Sequence, residues 1–277
     1  MNAGGSVMVS AIVAASVEER LEQGEVVFLA EAPFALPTGA DHEFLLAQRA
    51  GSMARKDINF DPCKGKATGF VRQDDAQEQR LERVMGEFGR AAAAWLREAL
   101  PHYAEGIEAD RISFRPEEEA TRRLRHNARN DLLHIDAFPR RPARGRRILR
   151  LFANIHPTEP RVWVTSETLP SFLPQVRERV ARATSWWRRL ADFVDRRSES
   201  DRFMLRLHDF LKASHDFQRH GSRRLWSFPP GSVWLAMTDG CTYAELRGRY
   251  ALEHSFFVRP EVLARPDLAP ESLLQAS

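Results

Sequence analysis

The chain has only two cysteines, Cys63 and Cys241, in 277 residues. They form neither a CxxC pair nor a zinc-ligand spacing, and two cannot make a disulfide framework, so a reducing cytoplasm is the expected compartment. No apolar run approaches the ~18–20 residues needed to span a bilayer, which excludes a polytopic membrane protein. The one stretch that resembles a targeting segment, residues 7–15, has no Lys or Arg before it, and a locally packed terminus is expected instead. No repeat of ~20–50 residues is visible, which excludes a solenoid. A dominant charge sign is lacking too: 41 Lys and Arg face 38 Asp and Glu, for a net +3. With no recognisable reader motif beside it, that balance argues against a nucleic-acid partner.

What is present is the mix of a folded protein with a sizeable core. Hydrophobic residues make up 43% and charged residues 29%. The bases are mostly arginine, in pairs such as Arg122-Arg123, Arg140-Arg141, Arg146-Arg147 and Arg223-Arg224. Guanidinium matches carboxylate and phosphate bidentately, which suits an anionic partner. The plainer reading is that most of these arginines cover solvated faces.

Periodicity divides the chain. Residues 74–100 predict a helix, with Leu81, Val84, Met85, Phe88, Ala92, Trp95 and Leu96 at three- and four-residue steps, ended by Pro101. From residue 111 short strand-like runs follow, at 111–115, 132–138, 147–155 and 161–165. Residues 172–220 turn helical, with a second helix over 201–217, and strand-like runs return at 232–237, 241–246 and 250–258. Strands on both sides of a helical excursion predict one β-domain. The expected organisation is an N-terminal helical or mixed segment over 1–110, a β core over 111–260 with the insertion at about 170–220, and a C-terminal tail over 261–277.

The chemistry-bearing signal is His134-Ile135-Asp136. In an extended segment, residues two apart share a face. An imidazole and a carboxylate side by side can supply two members of the 2-His-1-carboxylate facial triad of non-haem Fe(II) oxygenases. They can equally form a half-buried hydrogen-bonded pair. On the next strand Arg150, Phe152 and Asn154 share one face. If that face lines the same cavity, Arg150 can clamp a carboxylate and Asn154 can add a donor. Alternation alone does not separate inside from outside.

Several ordered segments resemble one family. They are 56–62 (KDINFDP), 133–139 (LHIDAFP) with Arg141-Pro142, 145–155 (GRRILRLFANI), 161–163 (RVW), 203–209 (FMLRLHD) with Lys212, 228–234 (FPPGSVW), Thr238-Asp239 and 251–253 (ALE). The chain resembles the Fe(II)/2-oxoglutarate-dependent hydroxylases of 3-deoxy-D-manno-oct-2-ulosonic acid (Kdo). The resemblance implies an α+β fold with a mainly β core, a double-stranded β-helix (cupin-like jelly roll) with flanking and inserted helices. It implies hydroxylation at C3 of the Kdo of Kdo-lipid A, or of a related anionic glycolipid or sugar acid, with Fe(II), 2-oxoglutarate and O2. It implies a cytoplasmic protein, with peripheral contact at the inner membrane to reach a lipid-linked sugar. His134 and Asp136 become metal ligands, and Arg150, with Asn154, the expected partner of the far carboxylate of 2-oxoglutarate.

The sequence departs from the family at the distal metal ligand, where Tyr243-Ala244 stands in place of His-Ala. A neutral phenol with an ordinary pKa near 10 is a poor ligand for Fe(II). If Gly248-Arg249 formed a two-residue hairpin loop, His254 would sit opposite Tyr243 and replace the imidazole. Tyr243 and His254 are therefore both expected at the metal. The alternative is a catalytically impaired member that binds an anionic sugar acid or glycolipid without turnover. His208 reads as structural and His156 as a turn cap. Trp186-Trp187-Arg188-Arg189 reads as part of an amphipathic helix, packed in the core or set at a membrane interface.

Overall fold

The computed structural model describes residues 15–51, 57–118, 126–182 and 197–276. The 7–15 stretch falls outside them apart from Ala15, and the Trp186–Arg189 run falls outside them entirely. The N-terminal third holds α1 (Val17–Glu22), β1 (Val27–Leu29), α2 (Gly39–Ala47), β2 (Ile58–Asp61), β3 (Lys66–Thr68) and α3 (Asp75–Ala99). Ser16 and Glu19 close a capping box on α1, and Asp74 caps α3 by accepting from Gln77 N–H. After β4 (Ile107–Arg115) come β5 (Arg147–Asn154) and β6 (Arg161–Thr168). The helices α4 (Leu169–Arg182), α5 (Glu199–Ala213) and α6 (His215–His220) follow, then β7 (Arg224–Phe228), β8 (Val233–Met237), β9 (Cys241–Arg247) and β10 (Ala251–Val258). The short helix α7 (Pro270–Gln275) closes the chain.

The strands form two antiparallel sheets. The larger has the order β1-β8-β5-β10-β4-β2-β3, and the smaller β7-β6-β9. From β5 onward the chain alternates between them: β5 in the large sheet, β6 and β7 in the small one, then β8 large, β9 small and β10 large. This alternation is the jelly-roll path, and it sandwiches one core between inner faces. That core is aromatic: Phe152 and Trp234 from the large sheet meet Trp163, Phe228 and Tyr243 from the small one. All five are fully buried, each worth roughly 1.5–3 kcal/mol of apolar burial.

The outer face of the large sheet is covered by α3. Leu81, Val84, Met85, Phe88, Ala92 and Leu96, the residues that predicted the helix, join Ile112, Phe114, Leu149 and Leu252 in one cluster. The approach is close enough that a Cβ at Gly89 would collide with Ile112. A second cluster packs Leu169, Phe172, Leu207 and Leu211 of α4 and α5 against Ile135. The β-strands at 58–61, 66–68 and 224–228 and the helix at 39–47 were not foreseen.

The expected β9–β10 hairpin is not formed. β9 pairs with β6 and β10 with β4 and β5, in different sheets. The connection crosses between them instead of folding back. Gly248 (φ 123°) and Tyr250 (φ 56°) lie in the left-handed region, and a Cβ at Gly248 would meet the Arg161 backbone at 2.9 Å.

Candidate active site

His134-Ile135-Asp136 is a short extended segment hung on the small sheet. His134 N–H donates to Tyr243 O (3.0 Å), Tyr243 N–H donates back to His134 O (2.9 Å), and Asp136 N–H donates to Thr238 O (2.7 Å). Alternation then works as the sequence suggests. Ile135 points into the α4–α5 cluster, while His134 and Asp136 line a cavity of about 890 Å³. The large sheet's inner face forms the floor, with Asn59, Ser113, Arg115, Arg150 and Ser255, and α5 forms the opposite wall.

His134 is 1% exposed, and its Nδ1–H donates to Leu132 O at 2.7 Å. That bond fixes the tautomer and leaves the Nε2 lone pair 3.9 Å from Asp136 Oδ1. Burial, reinforced by the charge of Lys212, holds the imidazole pKa well below its usual value, so the ring is neutral. Burial also opposes ionisation of Asp136, but the Arg150 guanidinium, together with the His134 and His208 rings and the Thr238 hydroxyl, outweighs it and keeps this carboxyl well below the usual carboxylate range. A neutral imidazole and an ionised carboxylate are the protonation states a metal requires. Two donors about 2.1 Å from one ion and cis to each other stand about 3.0 Å apart, so the pair, at 3.9 Å, has to draw together by about 1 Å to hold an ion. The pair fits a divalent metal.

The third position on this wall is Tyr243. Its ring stacks on Trp163 with centroids 4.7 Å apart. Its hydroxyl donates to Asp136 Oδ1 (3.1 Å) and accepts from Arg150 (3.2 Å). Burial raises its pKa well above the usual 10, so it is a neutral phenol. Among the described residues, no set of three or more His, Cys, Asp and Glu side chains is arranged to hold a metal.

His254 does not supply the missing imidazole. On β10 it stands opposite Leu151 and Ile112, on the sheet face turned toward α3, while Glu253 and Ser255 face inward. The hairpin that would have brought it to Tyr243 does not exist. It is a core histidine beside Gly89 of α3, its pKa pushed down by burial to about 3. Asn154 does not line the cavity either. Its amide donates to Glu159 O (3.0 Å) and Phe228 O (2.9 Å) and accepts from His156 N–H (2.9 Å), locking the β5–β6 connection away from the cavity. His156 accepts from Glu159 N–H in the same turn (2.8 Å), as a cap.

Arg150 reaches the cavity but is already engaged. One terminal nitrogen donates to Asp136 Oδ2 (2.9 Å), the other pairs with Glu253, and Nε alone has no partner. Glu253 also binds Arg115, Arg115 donates to Glu245 (2.8 Å), and Glu245 pairs with Arg161. Six buried charges of alternating sign therefore run from Asp136 to the turn after β9. Two further residues reach the site, His208, which reads from the sequence as structural, and Lys212. His208 of α5 donates from Nδ1 to Ile135 O (2.7 Å), with its ring 5.2 Å from that of His134. Lys212, 2% exposed, donates to Asn127 O (2.9 Å) and lines the cavity. The LHD run and Lys212 were visible, but their helix gave no sign that its polar face turned inward.

The family model for 3-deoxy-D-manno-oct-2-ulosonic acid (Kdo) hydroxylase matches residues 7–277. The chain belongs to the Kdo hydroxylase family. Among solved structures it is similar to the Kdo hydroxylase KdoO, a non-heme Fe(II) alpha-ketoglutarate-dependent dioxygenase. The cobalt(II) complex of that protein is 29% identical, with a TM-score of 0.85 over 94% of this chain and 88% of that one. Its complex with alpha-ketoglutarate and Fe(III) gives 29% and 0.83 over 94% and 87%. Its apo form gives 30% and 0.84 over 94% and 88%. No curated protein matches. The jelly-roll path and inserted helices are thus those of a Kdo hydroxylase.

Proposed function

We propose that this chain is an Fe(II)/2-oxoglutarate-dependent dioxygenase that hydroxylates C3 of the Kdo sugar of Kdo-lipid A. The observation that carries the reading is the His134–Asp136 pair, its tautomer and charge set for a metal, at one wall of a large polar cavity in a Kdo hydroxylase fold. Family membership and likeness to KdoO support turnover over binding alone.

His134 Nε2 and Asp136 would hold the iron, with Tyr243 at the third protein position. Bound there, Fe(II) with 2-oxoglutarate supplies the oxidation of a C–H bond by O2, yielding succinate and CO2 beside the hydroxylated sugar. The chain's own residues position and exclude water. Leu132 O fixes the His134 ring through its Nδ1–H. Arg150 keeps Asp136 ionised and offers Nε to the far carboxylate of 2-oxoglutarate. Ser255, opposite Arg150 on β10, and Ser113 and Asn59 on the floor present neutral groups to sugar hydroxyls. Trp163, Phe152 and Trp234 close the inner end against solvent. No described helix is long and apolar enough to cross a membrane. A cytoplasmic protein in peripheral contact with the inner membrane is the placement that suits a lipid-linked sugar.

Anaerobic addition of Fe(II) and 2-oxoglutarate tests the site. A visible metal-to-ligand charge-transfer band is expected, followed by succinate formation when Kdo-lipid A and O2 are supplied. A protein that gives neither the band nor succinate would overturn the proposal.

A further inference from the structure

The small sheet carries a line of oxidisable rings from the metal wall to its outer edge. The Tyr243 hydroxyl donates to Asp136 Oδ1 (3.1 Å), and the Tyr243 ring stacks on Trp163 with centroids 4.7 Å apart. Trp163 stands directly across from Trp226 in the β6–β7 ladder, so the two side chains share the sheet's inner face. The Phe228 ring is 5.9 Å from that of Trp163 and 6.0 Å from that of Trp226. β7 is an edge strand, and Trp226 is half-buried there.

The two indole N–H groups on this line differ. Trp163 is fully buried and its Nε1–H has no partner. A buried Trp N–H ordinarily finds an acceptor, so this exception calls for a reason. An oxidised Trp163 has no acceptor for its proton, so it stays a strong oxidant and draws an electron from the next ring. Trp226 Nε1–H donates to Thr165 Oγ1 (2.9 Å), and the Arg224 guanidinium lies 3.9 Å over its ring. That guanidinium opposes positive charge on an oxidised Trp226, and the half-exposed edge gives the proton a way out.

We propose that Tyr243, Trp163 and Trp226 form an electron-transfer path that carries oxidising equivalents from the iron site to the surface when O2 reacts without an acceptor sugar. The protective role rests on the proposed function, which supplies the oxidant. Each passage moves one electron. Tyr243 yields an electron to the site, and its hydroxyl proton shifts along the hydrogen bond to Asp136. Trp163 refills Tyr243, and that proton returns. Trp226 refills Trp163 and loses its Nε1 proton to solvent. A soluble one-electron reductant such as ascorbate restores Trp226 with one electron, and solvent returns the proton.

The path is tested first without iron, where it runs in reverse. In the full metal-free chain a flash-activated ruthenium photo-oxidant takes an electron from exposed rings. The vacancy should reach Tyr243, read as the visible absorption of a tyrosyl radical. The chain has three tyrosines, so the signal that counts is the part removed by Tyr243→Phe. Trp226→Phe should lose most of it. Trp226→Tyr, which differs from that variant by one oxidisable hydroxyl, should keep it. No Tyr243-dependent signal in the parent, or an undiminished one in Trp226→Phe, would overturn the path. Equal losses in the Phe and Tyr variants would overturn it too, because packing alone would then account for them.

The protective role is tested with Fe(II), 2-oxoglutarate, O2 and ascorbate, and no acceptor. Trp226→Phe should stop after fewer succinates per chain than the parent and carry more oxidised cavity residues by mass spectrometry. Its melting temperature and Fe(II) affinity should be unchanged. Equal succinate yields and equal oxidation would overturn the protective role. A parent that forms no succinate overturns the proposed function and this role with it, whereas the iron-free signal reads the path by itself.

Discussion

His134 and Tyr243 face each other as a doubly hydrogen-bonded pair, each backbone N–H donating to the other's carbonyl, at 3.0 and 2.9 Å. Their rings lie 4.6 Å apart on the same side of the small sheet. An imidazole at 243 would therefore share the wall with His134 and Asp136. Tyr243→His is expected to raise Fe(II) affinity at least about tenfold, because a neutral imidazole suits Fe(II) better than a neutral phenol. Metal titration of parent and variant under anaerobic conditions is the check. Unchanged affinity would mean that residue 243 does not face the metal.

Removing either member of the donor pair should cost more. His134→Ala and Asp136→Ala are each expected to lower Fe(II) affinity by about a hundredfold or more, beyond the ~10–100-fold typical of outer partners. Asp136→Ala should also lower the melting temperature, since Arg150 loses one of its two buried carboxylates. His134→Ala leaves no buried charge unmatched and should melt closer to the parent. Parent-like Fe(II) affinity in both variants would remove the metal reading.

Arg150 couples the co-substrate to the buried charge chain. Arg150→Lys keeps the charge but loses Nε, the one donor not committed to Asp136, Tyr243 or Glu253. Affinity for 2-oxoglutarate should fall roughly tenfold in calorimetry. Stability should fall as well, because one ammonium cannot span both carboxylates. If stability fell and 2-oxoglutarate affinity held, another cation of the cavity, such as Arg141, would carry the far carboxylate.

The parts of this molecule legible in the sequence are those set by local periodicity. The α3 stripe from Leu81 to Leu96 and the sharing of a face by His134 and Asp136 follow from the helical and extended repeats alone. The misplacement of His254 has a different origin. Its outward orientation depends on β10 joining the opposite sheet from β9, and sheet partnership is a long-range property that no local pattern encodes. The same applies to Asn154, which shares a strand face with Arg150 and Phe152 but lies past the cavity, where Phe228 and Glu159 carbonyls claim its amide. Glu253 and Arg115 stood out only as charges inside apolar strands. Their partners are more than a hundred residues away in sequence from at least one end of each pair.

His254 provides a pH test that is independent of the metal. Its imidazole, fully buried under α3, has a pKa pushed down from 6.5 to about 3. The unfolded chain binds a proton there below about pH 6.5, and the folded chain does not until about pH 3. Between these values the unfolded state holds more protons, so stability falls as pH falls, and above the window the contribution is constant. At about 1.4 kcal/mol per pKa unit, this one group accounts for a loss on the order of 5 kcal/mol across the window. His254→Leu keeps the volume and removes the titration. Urea unfolding of parent and variant from pH 7 to pH 4 should show a steeper acid loss in the parent, the gap widening as pH falls. Parallel curves would mean that the ring is already protonated, or reaches water, in the folded state.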